Sequence, residues 1–380
     1  MEQQSDDLNT KVYDIYSKSK PIHKEENLTI VRYDLITKKM LDTMDKRNAL
    51  VIVSVSPMEV HGSFLPLGSD FIEALMMNEL IKEILKERKK DKQFTIIEIP
   101  PLPIGTGTLR GVKGTIHFPH STFRNTVKEY LDGIVNAGFT KIMITSVHHG
   151  LIHALALEEA AMKVMKKHAK SGVRIVSPLN WIVKKIYVDN PKKTWKSVVE
   201  EIGQTPLSED EYTALFQDHH SSIMEIAFVK NINPKLVDPE YKNCEPHVEG
   251  NVHGIKSLIS KKWSNLGGPK AYSYNGHPAK ADSRNWFVLY EKLIKDVGEE
   301  FIDALFVKDN EEFEKYTKSF MWPIFFLKTN YKWRFLATLI ICLAVLFYLP
   351  LFPLTLIPII IFVIYLVIRL GIVVKKLKQD

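Results

Sequence analysis

Cysteine is nearly absent: Cys244 and Cys342 are the only two. One lies in a polar stretch and the other in an apolar tail, so they make a poor disulfide pair, and this usage fits a reducing compartment. An apolar leader is missing as well. After Met1 the chain reads EQQSDDLNT, polar and acidic, with nothing resembling a signal peptide. The bulk of the chain is therefore expected on the cytosolic side. There is no internal repeat and no low-complexity segment. The glycine-rich stretch IGTGTLRGVKGTIHF at 104–118 lacks the Gly-Lys-Ser/Thr ending of a phosphate loop, which excludes that reading. A basic nucleic-acid surface is also missing, in spite of a formal charge of +7. Seven cations stand from Leu327 onward (Lys328, Lys332, Arg334, Arg369, Lys375, Lys376 and Lys378) against one acid, Asp380, and this places +6 of the charge there. The preceding residues are close to neutral, so no nucleic-acid partner is expected.

The C-terminus, by contrast, is apolar to an unusual degree. From Trp333 to Val374 only Arg334 and Arg369 break the run, whereas about 20 residues suffice for one spanning helix. Pro350, Pro353 and Pro358 divide it. The expectation is a transmembrane helical hairpin with apolar segments at 333–349 and 353–374, forming a membrane anchor over 326–380 that ends in a basic tail. A re-entrant hairpin is the rival geometry. Cations at both outer ends place both ends in the cytosol. The protein is thus expected at a membrane, with the lipid bilayer as a partner and its catalytic domain facing the cytosol.

Ahead of the tail, a polar arm at 1–27 precedes one domain over 28–325. LVIVSVS at 50–56, FTIIEIPPLPI and KIMITSV at 141–147 read as buried strands, and VRIVSPLNWI at 173–182 reads as another. Helical spacing recurs at 71–90, 121–137, 151–169 and 285–306, while 185–217, with Trp195, reads as an insertion or lid. Alternating strands and helices predict an α/β fold, a three-layer α/β/α sandwich with a mostly parallel sheet. Ligands in such folds bind beyond the carboxyl ends of the strands, and the unusual polar residues fall there.

MEVHGSFLPLGSD at 58–70 follows the first strand directly. Glu59 and His61 are two apart, so in an extended chain both side chains point the same way. Asp70 returns after a loop flanked by Gly62 and Gly68. A carboxylate that can bridge two cations, an imidazole and a second carboxylate suit a divalent ion. Read alone, the Glu-x-His pair serves equally well as a surface or capping pair, and the glycine-flanked aspartate sharpens it. In SVHHG at 146–150, His148 can reach the same crevice as a ligand, with His149 in a structural or supporting role. In DHHSSIME at 218–225, a loop-to-strand turn would bring His220 and Glu225 to one pocket, and a histidine beside a metal-bound water suits proton transfer. Gly114-Thr115 is expected to form a tight turn near the site.

These residues resemble the creatininase (creatinine amidohydrolase) family. Its Glu-x-His-Gly-x-x-Leu-Pro-Leu-Gly-x-Asp motif is matched at Glu59, His61, Gly62, Leu65, Pro66, Leu67, Gly68 and Asp70. Gly114-Thr115-Ile116 is similar to the family's Gly-Thr-Ile segment. ITSVHHGLIHAL is similar to its Asn-Gly-His-Gly-Gly-Asn stretch, which places His148 on the ligand histidine. His220 and Glu225 fall on its His-x-x-x-x-Glu motif, and Gly276 and Pro278 on a late Gly-Asp-Pro element. Ser146, Val147 and Leu151 depart from the family's Asn, Gly and Asn, and His277 stands where Asp is usual. Gly150 stands where creatininase itself has a further glutamate, so creatinine is not favoured as the substrate.

The resemblance implies two divalent metal ions, zinc or manganese first and iron as a further candidate, together with a homo-oligomer and a small-molecule amide substrate. Glu59 and His148 would hold one ion and His61 the other, with Asp70 between them and Glu225 completing the coordination of the second ion. His220 would pass a proton to the departing amine, with Glu225 orienting it. The implied activity is hydrolysis of a cyclic or linear C–N amide bond by a metal-activated water. The alternatives are a catalytically silent membrane-bound protein that binds a ligand or partner in the same pocket, and a metal-dependent hydrolase of a non-amide ring.

Overall fold

The computed structural model describes residues 20–25, 27–88, 93–248 and 273–319, with a few isolated positions between 339 and 365. Six strands form one sheet: β1 (Ile22–Glu25), β2 (Leu28–Arg32), β3 (Ala49–Ser54), β4 (Phe94–Glu98), β5 (Lys141–Thr145) and β6 (Arg174–Val176). Their order is β1-β2-β4-β3-β5-β6. All neighbours run parallel except β1, which pairs antiparallel with β2. The helices among the described residues are α1 (Lys38–Thr43), α2 (Ser69–Arg88), α3 (His120–Asn136), α4 (Leu151–Lys167), α5 (Leu179–Tyr187), α6 (Pro191–Glu201), α7 (Glu209–Phe216), α8 (Ile223–Ile232), α9 (Trp286–Phe306) and α10 (Asn310–Glu314).

β3 is central and buried along its whole length. Val51 pairs with Ile97 of β4 on one side and Ile142 of β5 on the other. Successive side chains alternate across the pleat. Leu50 and Ile52 enter an apolar cluster with α2 and α9, while Ala49, Val51 and Val53 enter a second with α3 and α4. A strand covered on both faces needs apolar residues at every position, which explains its unbroken apolar run. The chain leaves β3 into α2 on one face and leaves β5 into α4 on the other. The carboxyl ends of these adjacent strands therefore diverge and open a crevice, the switch point where ligands bind in such sheets.

Several expectations are corrected. The predicted strand at 173–182 is only β6, because Pro178 opens α5, whose Leu179, Ile182, Val183 and Ile186 are buried at helical spacing. The segment 185–217 is no lid: α6 and α7 join the core, and the buried Trp195 stands edge-on to Tyr290 with centroids 4.9 Å apart. Residues of the expected polar arm supply β1. The tight turn at Gly114-Thr115 is present, with Gly114 at φ +106 and the Thr115 N–H donating to the Val112 carbonyl at 3.1 Å. The hairpin expected at 333–349 and 353–374 lies outside the described residues apart from those isolated positions. Among the described residues no helix is long and apolar enough to cross a membrane.

Candidate metal centre

The chain leaving β3 carries Glu59 and His61 into the crevice. The His61 Nδ1 lies 3.0 Å from the Glu59 carbonyl oxygen. A carbonyl can only accept, so Nδ1 bears the proton and the Nε2 lone pair faces the pocket. Asp70 enters from the first turn of α2 and Glu225 from the first turn of α8. His148 follows β5. The sequence DHHSSIME thus leads into a helix, a correction of the expected loop-to-strand turn. Ser221, in the left-handed region at φ +49, donates its N–H to Glu225 Oε2 and turns that carboxylate inward. The Leu109 N–H does the same for Glu59 Oε1.

Asp70 is shared between two histidines. Its Oδ1 is 3.4 Å from His61 Nε2, and its Oδ2 is 3.2 Å from His148 Nδ1. Glu59 Oε2 is 3.2 Å from His148 Nδ1, and Glu225 Oε1 is 3.6 Å from His61 Nε2. Ligands about 2.1 Å from a tetrahedral zinc stand about 3.4 Å from one another, so these separations match two ligand shells sharing one carboxylate. The ligating atoms of Glu59, Asp70 and His148 lie within 4.8 Å of one another, as do those of His61, Asp70 and Glu225. All five side chains are buried. His61 Nε2, Glu59 Oε2 and both Asp70 oxygens have no hydrogen-bond partner among the described residues. Buried polar atoms are ordinarily paired, and a cation is the partner this donor set fits.

The local field agrees. Burial pulls the His61 pKa down, but the Glu225 and Asp70 carboxylates outweigh it and raise it well above its ordinary value. Burial likewise opposes His148, yet Asp70 and Glu59 push it up to about 9. Burial pushes Asp70 upward, and the His148 and His61 imidazoles hold it well below the usual range. A site that so favours positive charge on imidazole nitrogens also favours a cation on the same lone pairs.

His220 lies in the same pocket. Its Nε2 donates to the Val60 carbonyl at 2.9 Å, so its Nδ1 carries the lone pair. Its ring centroid is 4.5 Å from that of His61, and it also stands within ligating reach of Glu59 and His61, a position the sequence reading reserved for proton transfer. His149 lines the edge of the site and stacks edge-on to Tyr187. Burial pushes it down to about 4, so it is a neutral imidazole. His277, at the position where Asp is usual, pairs with Gln217 Oε1 at 2.6 Å and stays outside the candidate metal shells.

Glu73 was missed. It is buried on α2, and neither carboxylate oxygen has a hydrogen-bond partner among the described residues. Burial, then Glu225 and Asp70, raise its pKa well above the usual range. Its signal was an acid three residues after Asp70, on the stripe that carries Ala74 and Met77.

The fold and site define an α/β domain with a candidate two-ion centre at its switch point. The model for creatininase, described as creatinine amidohydrolase, matches residues 34–301. The chain therefore belongs to the creatininase family. A crystal structure of creatinine amidohydrolase (creatininase) is similar at a TM-score of 0.50 and 13% identity, over 73% of this chain and 98% of that one. A structure titled "Creatininase Mn" is similar at a TM-score of 0.50 and 12% identity, over 72% of this chain and 98% of that one. A Glu-to-Gln mutant of creatininase, of Zn-Zn type, is similar at a TM-score of 0.50 and 12% identity, over 74% of this chain and 99% of that one. At these identities the likeness is one of fold. A comparison with curated proteins gives no match.

Proposed function

We propose that this chain is a two-metal amidohydrolase acting on a cyclic or linear amide other than creatinine. One observation carries the reading: the two oxygens of Asp70, neither with a hydrogen-bond partner among the described residues, divide between His148 and His61 at 3.2 and 3.4 Å. Glu59, Asp70 and His148 hold one ion, and His61, Asp70 and Glu225 the other. Zinc and manganese suit the N/O donor set, and related structures bear titles naming both. When bound, such ions polarise an amide carbonyl and lower the pKa of water toward neutrality. The chain supplies the rest. The Leu109 and Ser221 N–H groups orient Glu59 and Glu225. His220 takes a proton on Nδ1 and returns it to the departing amine, since its Nε2–H is committed to Val60.

The substrate differs from creatinine because the further glutamate of creatininase has no room here. A Cβ at position 150 would lie 2.5 Å from His148 Nε2. The test is metal content of the purified chain beside Asp70→Ala, followed by assay of released amine over a panel of lactams and linear amides. About two ions, lost together in the variant, are expected. An unchanged metal content in Asp70→Ala overturns the shared-carboxylate reading, and ring opening without amine release moves the activity to a non-amide ring.

We also propose that the apolar segment 333–374 and its basic flanks anchor the protein in a bilayer with the hydrolase domain facing the cytosol. Extraction from membranes by alkaline carbonate would refute an integral anchor. The assembly is proposed to be a homo-oligomer, which sedimentation in mild detergent tests.

A further inference from the structure

His148 is held without a hydrogen bond to its second ring nitrogen. Its Nε2 is buried and has no partner among the described residues, although metal-ligating histidines usually donate that proton to an acceptor. Packing takes its place. Gly150 closes on one edge of the ring, and the fully buried His153, one turn into α4, meets it at 88° with centroids 5.0 Å apart. His153 is itself fixed from both ends. The Thr106 N–H donates to its Nδ1 at 3.4 Å. A backbone N–H can only donate, so that nitrogen carries the lone pair and the ring proton sits on Nε2. That nitrogen lies 3.2 Å from Ser146 Oγ, and the Val55 carbonyl also accepts from the ring. Ser146 then has its own hydroxyl proton free for Ser56 Oγ at 3.0 Å. Ser56 N–H donates to the Leu102 carbonyl at 3.2 Å. On its other face His153 stacks on Phe123, with centroids 4.6 Å apart.

The chain of contacts joins the loops after β3, β4 and β5, and it runs just beneath both metal-binding segments. Ser56 precedes Glu59 by three residues, and Ser146 precedes His148 by two. Ser146 is also one of the positions at which this chain departs from the family's Asn.

We infer that His153 is a positioning residue, locked in a single tautomer by Thr106 and Ser146, that sets the orientation of the metal ligand His148 in place of the framework the family uses at this loop. The inference rests on the reading of the centre as a metal site. Fully satisfied buried networks of this kind rigidify what they touch, and altering such supporting groups costs about 10–100-fold in metal affinity.

The test titrates Co²⁺ into the metal-stripped full chain and follows the visible d–d bands, with chelator competition for affinity. Wild type, His153→Phe and His153→Gln are compared, with melting curves as the check on folding. Phenylalanine keeps the ring against Phe123 and His148 but has no N–H or lone pair. Glutamine restores a donor toward Ser146. Wild type is expected to bind two ions. In His153→Phe one of the two steps weakens by about 10–100-fold with a shifted band, and the other is unchanged. His153→Gln recovers most of the loss. Wild-type affinity and bands in His153→Phe overturn the inference, as does an equal loss in both variants. Absence of binding by the wild type instead overturns the metal reading beneath it. Should His153→Phe fail to fold, Ser146→Ala, which leaves both rings in place, must weaken the same step or the inference fails.

Discussion

Gly150→Ala separates steric placement of His148 from every other role of its loop. Gly150 sits at φ −59 and ψ 111 as the N-cap of α4, a conformation open to any residue. The change therefore carries no backbone strain. The added Cβ, however, would stand 2.5 Å from His148 Nε2, 3.0 Å from its Cδ2 and 3.3 Å from the Gly107 carbonyl oxygen. Non-bonded contacts are comfortable from about 3.5 Å, so the overlap with the ring is about 1 Å. The carbonyl on the far side blocks the methyl from retreating, and the ring has to move. Metal–ligand distances tolerate only about ±0.2 Å. A displacement several times larger removes His148 from its shell and should weaken that ion at least about 100-fold, the upper end of what outer-shell changes alone produce. Stability should change little by comparison. Alanine is a poorer N-cap than glycine by about 0.5–1 kcal/mol, which in a domain of this size moves the melting point by a few degrees at about 2–4 °C per kcal/mol. The assay is metal content and Co²⁺ titration beside melting of the metal-free protein. Two ions bound at wild-type affinity in Gly150→Ala would refute the placement of His148 as a ligand.

Two further outcomes test the frame around the centre. Glu225→Gln keeps an oxygen for the Ser221 N–H but loses the negative charge beside His61, so metal content should fall from about two ions toward one, with the His148 ion retained; plasma mass spectrometry decides, and loss of both ions would contradict the division of ligands. Away from the site, hydrogen bonds from Lys167 at 2.5 Å and His168 at 2.6 Å hold the Asp132 carboxyl below its ordinary 3.8. A depressed carboxyl stabilises the fold above its unfolded pKa and ceases to do so as pH falls through the folded one. Melting curves of wild type and Asp132→Asn should therefore differ near neutrality and converge in strong acid, and a constant difference across that range would count against the ion pair.

Much of the centre was legible because strand ends in a parallel sheet are fixed by unmistakable apolar runs. Once β3 and β5 are placed side by side, Glu59, His61 and His148 have nowhere to go but the crevice between them. Asp70 follows because its loop is short. The element carrying Glu225 was not legible. Ile223, Met224, Glu225, Ile226, Ala227, Phe228 and Val229 are all buried, so α8 has no polar face and no period to distinguish it from a strand. The same holds after Pro178, where the apolar run continues from strand into helix. His153 was hidden differently. It occupies an ordinary inward position of a helix, and its meaning lies in Thr106 and Ser146, which reach it from two other loops.

The departures at 146–151 bear on whether this centre is in use. Val147 is buried in the cluster with α2 and α9, Leu151 packs against the one with α3 and α4, and Ser146 enters the hydrogen-bonded chain to His153. Three carboxylates and two imidazoles meanwhile stay buried together, with several of their atoms unpaired among the described residues. Burying a charged group without compensation costs several kcal/mol even after relaxation, a large share of the 5–15 kcal/mol or so by which folded domains are stable. This buried acidic set, beside a loop that departs from the family pattern, is what a cation-binding centre requires, and ions proposed to sit there would supply the compensation that the crevice otherwise takes from its imidazoles.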